Sequence, residues 1–211
     1  MRIIVTAGPT REHIDAVRFI TNASSGKMGL ALACAAAEAG HDVTLICGPV
    51  GEGLPEAARR PKCDIVRFVT AADLQQELEG RFDSCDALVM AAAVGDFRPG
   101  KILAGKTHRA NGPMDIRLLP TSDIVAALGA RKRAEQKVVV FSVEEGADAQ
   151  LEAVALRKLA AKNADFVVVN CPAAMTAEAS RACILSAGGV ALPWAIRSKT
   201  ELSVEIIKLI G

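Results

Sequence analysis

Two stretches of this sequence combine residue types that can hold an anion. One is "TNASSGKMG", residues 21–29. It is polar and glycine-rich, and it leads into the helical-looking run "LALACAAAEAG". Ser24, Ser25 and Gly26 then stand at a helix N-terminus, where hydroxyls and unpaired backbone N–H groups meet the positive end of the helix dipole. Gly26 and Gly29 let backbone approach a phosphate closely. The same serines also suit an ordinary N-cap, and taken alone the two readings are evenly balanced. The other stretch is "AAAVGDFRP", residues 91–99. Its small side chains leave the main chain open to a ligand, and Asp96 follows them, although an isolated loop Asp is more commonly a turn or cap residue. The loop beyond it carries Lys101, Lys106, His108 and Arg109. It reads either as a solvated cationic loop or as a lid that closes cations over a polyphosphate. Lys158 and Lys162 are four apart on an expected helix and point to one side, which matters only if that side meets the same cleft. His13 and His41 read as surface residues, and no Ser-His-Asp or Cys-His arrangement stands out.

The elements that must position these residues follow a regular rhythm. Apolar, Val/Ile-rich runs at 2–7, 42–47, 64–69, 87–94, 137–143 and 165–170 alternate with helical stretches at 25–39, 71–81, 122–134, 147–162 and 200–210. Continuous apolar strands spaced by helices predict an α/β fold with a doubly wound, mostly parallel Rossmann-like sheet. "CILSAGGVALPWAI" adds a late β-hairpin about Gly188-Gly189. Residues 1–211 read as a single domain without internal repeats. Two polar segments, 8–24 and 95–115, break the rhythm. Both follow strands, which puts them at the carboxyl end of the sheet, where open α/β folds bind ligands.

Bulk properties exclude several classes. With 51% hydrophobic and 23% charged residues in a chain of 211, a sizeable core can form. A net charge of +1 gives no global electrostatic case for nucleic acid or an anionic membrane. Aromatics at 3%, with no Tyr, argue against base-stacking platforms. No apolar stretch is long enough to span a bilayer, and the run opening "MRIIVTAGPT" is too short for a signal peptide. Cys34, Cys47, Cys63, Cys85, Cys171 and Cys183 form no CxxC pair, which predicts a reducing, cytoplasmic setting and no structural metal. Binding of NAD in the usual mode is disfavoured. "TAGPTRE" replaces the glycine-rich turn after the first strand, and "LICGPV" ends the second without an acidic residue for a ribose.

Residues 5–29, "VTAGPTREHIDAVRFITNASSGKMG", strongly resemble the signature of the bacterial phosphopantothenate–cysteine ligases. "AAAVGDFRP", "LPTSDIVAALG", "VVVFSVEE" and "RKLAAKNADFVVVN" are similar to further segments of that family, so the resemblance runs to about residue 172. It implies the joining of 4′-phosphopantothenate to the amine of cysteine in coenzyme A biosynthesis. The nucleotide is CTP in the bacterial enzymes, through an acyl-cytidylate, and ATP in eukaryotic relatives; Mg²⁺ offsets the polyphosphate charge. By motif position, Asn22 and Lys106 are the implied catalytic residues. Gly8, Ser24, Gly26 and Gly29 match positions that cradle the triphosphate. Ala92, Ala93 and Asp96 match the junction of nucleotide and phosphopantothenate. Phe141, Lys158 and Lys162 match further nucleotide contacts. The resemblance also implies a homodimer, with 183–196 as a candidate contact. The flavin-dependent decarboxylase that usually precedes this domain in bacteria has no counterpart in residues 1–211. This chain departs from the pattern in places. Lys106-Thr107-His108-Arg109 stands for K-x-K-K, "VFSVEE" for G-F-A-A-E-T, "PTSD" for N-P-D, and Cys171 for an Asp. The choice between CTP and ATP therefore stays open, and a nucleotide-binding relative without ligase activity is the second reading.

Overall fold

The computed structural model describes residues 1–50 and 63–211. Its strands in chain order are β1 (Arg2–Ala7), β2 (Arg11–His13), β3 (Phe19–Thr21), β4 (Asp42–Cys47), β5 (Cys63–Arg67), β6 (Ala87–Met90), β7 (Phe97–Pro99), β8 (Leu118–Pro120), β9 (Lys137–Val143), β10 (Phe166–Asn170), β11 (Ala179–Ser186) and β12 (Gly189–Ser198). The helices are α1 (Lys27–Glu38), α2 (Ala71–Glu79), α3 (Ile124–Gly129), α4 (Asp148–Ala161) and α5 (Lys199–Ile210). The main sheet has the order β12-β11-β10-β9-β6-β1-β4-β5. Every pairing from β5 to β10 is parallel, and β11 and β12 add an antiparallel edge. The fold is therefore the doubly wound sheet that the rhythm predicts.

The strands read as unbroken apolar runs because helices cover both faces. On one face Ile3, Val5, Leu45, Val89 and Val168 pack with Leu32, Ala33 and Ala36 of α1 and Leu202, Ile206 and Ile207 of α5. On the other, Ile4, Leu88, Val138 and Val140 pack with Leu74, Leu128, Ala155 and Leu159 of α2, α3 and α4. The chain leaves β1 for β4 on one side and returns to β6 on the other. The carboxyl ends of β1 and β6 thus flank the topological switch point, where such sheets open a crevice.

Several boundaries differ from expectation, each for a local reason. α1 starts at Lys27 rather than residue 25, because Gly26 takes the cap position at φ 77° without a capping side chain. The serine cap is thereby overturned: Ser25 Oγ donates instead to the Met175 carbonyl at 2.8 Å. β6 stops at Met90 rather than Val94. The Ala92 N–H turns to Thr6 Oγ1 at 2.9 Å, and Ala93 bridges to Pro9 beyond β1. α3 spans only Ile124–Gly129 of the expected 122–134. The Asp123 carboxylate caps it at Ala126, and a series of turns ends at Gln136, whose amide donates to the Phe82 and Cys85 carbonyls. The late hairpin is longer than 183–196, running from Ala179 to Ser198. The irregular segments also contain structure of their own: β2 pairs with β3, and β7 with β8.

Candidate active site

A cavity of about 620 Å³ opens at the switch point, within the usual range for small-molecule sites. One wall comes from the connection after β1. Most of that segment serves to lock the wall in place. The Thr10 N–H donates to the Ala93 carbonyl at 3.1 Å, Gly95 donates to Thr10 Oγ1 at 3.0 Å, and Thr21 Oγ1 donates to the Thr10 carbonyl at 2.7 Å. Buried Glu12 accepts from the first N–H of α2, at Ala71, at 2.8 Å. Asn22 Nδ2 donates to the Ala93 carbonyl at 2.8 Å. That bond uses one of the amide's two N–H groups and leaves the other, with Oδ1, to address the cavity.

The N-terminus of α1 forms the floor. No side chain caps it, and Ser24, Gly26 and Gly29 all line the cavity. The glycines are also fixed by packing. A Cβ on Gly26 would lie 2.5 Å from Val50 Cγ1, and one on Gly29 would lie 2.5 Å from the Ala7 Cβ and 2.6 Å from the Thr6 carbonyl. Gly8, at φ 81°, lies beneath Gly26 and is not among the lining residues. Its place is structural support for the floor.

The opposite wall carries Ala92, Ala93 and Asp96 after β6, Phe141 on β9, and Lys158 and Lys162 on α4. The helical Lys pair thus faces the cleft. Each is already held: Lys158 pairs with Glu144, and Lys162 with Asp123 at 2.6 Å. The Lys158 ammonium holds the Glu144 carboxyl below its usual range. Burial pushes the Asp123 carboxyl up, but its bonds from Lys162 and the Ala126 N–H outweigh this, and the net shift is downward. Asp96 lines the cavity and makes no ion pair among the described residues. Among the described residues no cluster of His, Cys, Asp and Glu could hold a metal ion.

Lys106, like Gly8, is not among the lining residues. It is exposed, on a loop anchored away from the lining residues. The anchor is Asp15, whose side chain is buried. One carboxylate oxygen accepts from the Val17 and Arg18 N–H groups at 2.9 and 2.8 Å. The other accepts from Arg18 Nε at 3.0 Å and from the Thr107 N–H at 3.2 Å. Arg18 also donates to the Thr107 carbonyl at 2.9 Å. The guanidinium and these N–H groups hold the Asp15 carboxyl far below the usual range.

Polar residues that sequence reasoning did not single out also line the cavity, among them Lys27, Thr121, Asp123, Asn170 and Lys199. Asn170 Oδ1 is buried and has no hydrogen-bond partner among the described residues. Asn170 and Lys162 lie in the quoted "RKLAAKNADFVVVN" run, but Lys199 carried no local signal. It opens an ordinary amphipathic helix, and only the sheet order brings it to this cleft.

Residues 1–211 match the family described as the DNA/pantothenate metabolism flavoprotein C-terminal domain. The chain is 38% identical over 213 residues to the coenzyme A biosynthesis bifunctional protein CoaBC of Bacillus subtilis (strain 168), covering 99% of this chain and 50% of that protein. It is also 38% identical over 216 residues to a cysteine/cysteine sulfinic acid decarboxylase from an unknown prokaryotic organism, covering 99% and 57%. Among solved structures, the C-terminal domain of a coenzyme A biosynthesis bifunctional protein CoaBC superposes with a TM-score of 0.78 at 32% identity, covering 99% of this chain and 93% of that one. The chain spans about half the length of the curated relatives it matches. Since the family match extends from residue 1 to residue 211, this chain belongs to the DNA/pantothenate metabolism flavoprotein C-terminal domain family.

Proposed function

We propose that residues 1–211 act as one phosphopantothenate–cysteine ligase domain in coenzyme A biosynthesis. The observation that carries this reading is convergence. Asn22, the α1 N-terminus, Ala92, Ala93, Asp96, Phe141 and the Lys158/Lys162 pair, far apart in sequence, line one cavity. The reaction has two steps. The carboxylate of 4′-phosphopantothenate attacks the α-phosphorus of CTP and releases pyrophosphate. The cysteine amine then attacks the acyl carbon of the acyl-cytidylate, and CMP leaves as the amide forms. The α1 N-terminus and the two lysines bind the phosphates, and Mg²⁺, if bound with them, would offset the polyphosphate charge. The free N–H of Asn22 stabilises the acyl oxygen as charge develops on it. The bond to Ala93 holds that amide in one orientation.

CTP is the expected nucleotide and ATP the alternative. The protein works in the cytoplasm on small-molecule substrates, with no nucleic acid or membrane partner. It acts as a homodimer, with the late hairpin at 183–196 as one candidate contact and the exposed apolar side chains Val17, Phe19, Phe97, Ile102 and Leu118, on and beside the small hairpins, as another. The second reading, nucleotide binding without ligation, draws on Lys106, which lies outside the cavity lining, and on the altered lid sequence. One assay separates the readings: pyrophosphate release with 4′-phosphopantothenate and Mg²⁺, with CTP or ATP, with and without cysteine. Multiple turnovers only when cysteine is present are expected. Nucleotide binding with no release under any condition would favour the second reading.

A further inference from the structure

Lys199 is a buried charge whose surroundings do not neutralise it. It opens α5 and is only 8% exposed, yet it lines the cavity. Its Nζ donates to the Ala174 carbonyl at 3.0 Å and to the Ala177 carbonyl. Carbonyls satisfy donors but supply no counter-charge. Among the described residues, no carboxylate comes within ion-pairing distance of it. The neighbouring Glu178 instead pairs with Lys27, and it acts on Lys199 only from farther off, while Lys27 opposes it. Burial is the main influence and pushes the Lys199 ammonium below its usual range. A buried ion without a partner is costly, and here the open side of the group is the cavity.

The same ammonium fastens one wall. Residues 172–178 follow β10 and pass over the start of α1. The Ser25 hydroxyl holds the Met175 carbonyl, Lys27 holds Glu178, and the Lys199 N–H donates to the Glu178 carbonyl at 3.0 Å. Two of the three Nζ donors hold this wall in place.

We propose that Lys199 is an anion-binding residue of the cavity, which offers its third N–H to a phosphoryl oxygen of a bound substrate. This rests on the ligase reading for the identity of the substrates, but not for the test. A charge-assisted hydrogen bond of this kind is worth about tenfold or more in affinity.

The test is calorimetric titration with inorganic pyrophosphate, CTP and 4′-phosphopantothenate of the wild-type chain and of Lys199→Gln and Lys199→Met. Gln keeps donors for the Ala174 and Ala177 carbonyls but removes the charge; Met removes both. Both variants are expected to bind at least one of the phosphorylated ligands about tenfold more weakly, with thermal unfolding of Lys199→Gln near that of the wild type. Weakening confined to pyrophosphate and CTP assigns the contact to the triphosphate. Weakening confined to 4′-phosphopantothenate assigns it to that phosphate. Wild-type affinity in Lys199→Gln for all three ligands would reduce Lys199 to a fastener of the wall and overturn the proposal. Failure of the wild type itself to bind any of them would count against the ligase reading instead. Should both variants unfold early, the wild-type Lys199 ammonium signal in ¹H–¹⁵N spectra decides. A shift on saturation with pyrophosphate, CTP or 4′-phosphopantothenate supports the contact, and an unmoved signal with all three overturns it.

Discussion

At the scale of single residues, the long signature at 5–29 divides into parts that build and a part left free to act. The side chains of Thr10, Glu12 and Asp15 accept hydrogen bonds from main-chain N–H groups, whereas Asn22 spends one N–H and keeps the rest of its amide. Asn22→Asp places a carboxylate against the Ala93 carbonyl and removes the remaining donor. Pyrophosphate release in a single turnover is expected to persist, while amide formation falls by about 10²–10³-fold, the usual effect of losing one such donor. Quench analysis for accumulated acyl-nucleotidylate checks this, and normal turnover would remove Asn22 from the proposed role. Gly29 answers to packing. Gly29→Ala drives a methyl group into Ala7 and the Thr6 carbonyl, and about 1–3 kcal/mol of destabilisation is expected in urea unfolding. Asp15 makes stability depend on acid. Its folded-state pKa is depressed, so its contribution is fully present above the unfolded value of about 4 and is lost as the pH falls below that. Asp15→Asn is expected to flatten this acid limb in unfolding measurements from pH 6 down to pH 3. An unchanged limb would show that other carboxylates dominate it.

At the scale of elements, the small β2–β3 hairpin is the joint of the site. It reaches α2 through Glu12, the β6 connection through Thr10, and the Lys106 loop through Asp15 and Arg18. The loop is held at a second point, where the Leu103 N–H donates to the Ile14 carbonyl at 2.9 Å. Removing the Asp15 carboxylate therefore predicts faster tryptic cleavage at Lys106 and Arg109 than in the wild type, with cleavage elsewhere little changed. Equal cleavage rates would show that the Leu103 contact suffices. The sequence reads 8–24 and 95–115 as irregular, because three-residue strands are too short to leave an alternating pattern. Their pairing rests on turns and cross-links rather than on apolar periodicity.

At the scale of the whole molecule, the exposed apolar side chains include those of the small hairpins and of β12, where Val190 is 56% and Ile196 77% exposed. Both regions are candidates for a homodimer contact. Sedimentation at several concentrations tests the state against the 22.1 kDa chain. If a dimer forms, Phe97→Lys on β7 and Ile196→Lys on β12 identify the surface by which of them shifts it to monomer. A monomer at every concentration would leave the cavity to work within one chain.

The sequence by itself determined the class of fold and the family. Both are written in contiguous residues: apolar runs long enough to be strands buried on two faces, helices between them, and a 25-residue signature. It also pointed to part of the lining, since Asn22, Ser24, Gly26, Ala92, Asp96, Phe141, Lys158 and Lys162 meet at one cavity. Only the tertiary structure decided how those residues are held. The Ala93 carbonyl orients Asn22, Gly8 and Gly26 are paired by close approach, and Asp15 reaches a loop 92 residues away. It alone brought Asn170 and Lys199 to the wall. Local pattern reports what each segment can bury. Which polar groups face one another across strands far apart in sequence is set by the order of the sheet, and no window of sequence contains that order.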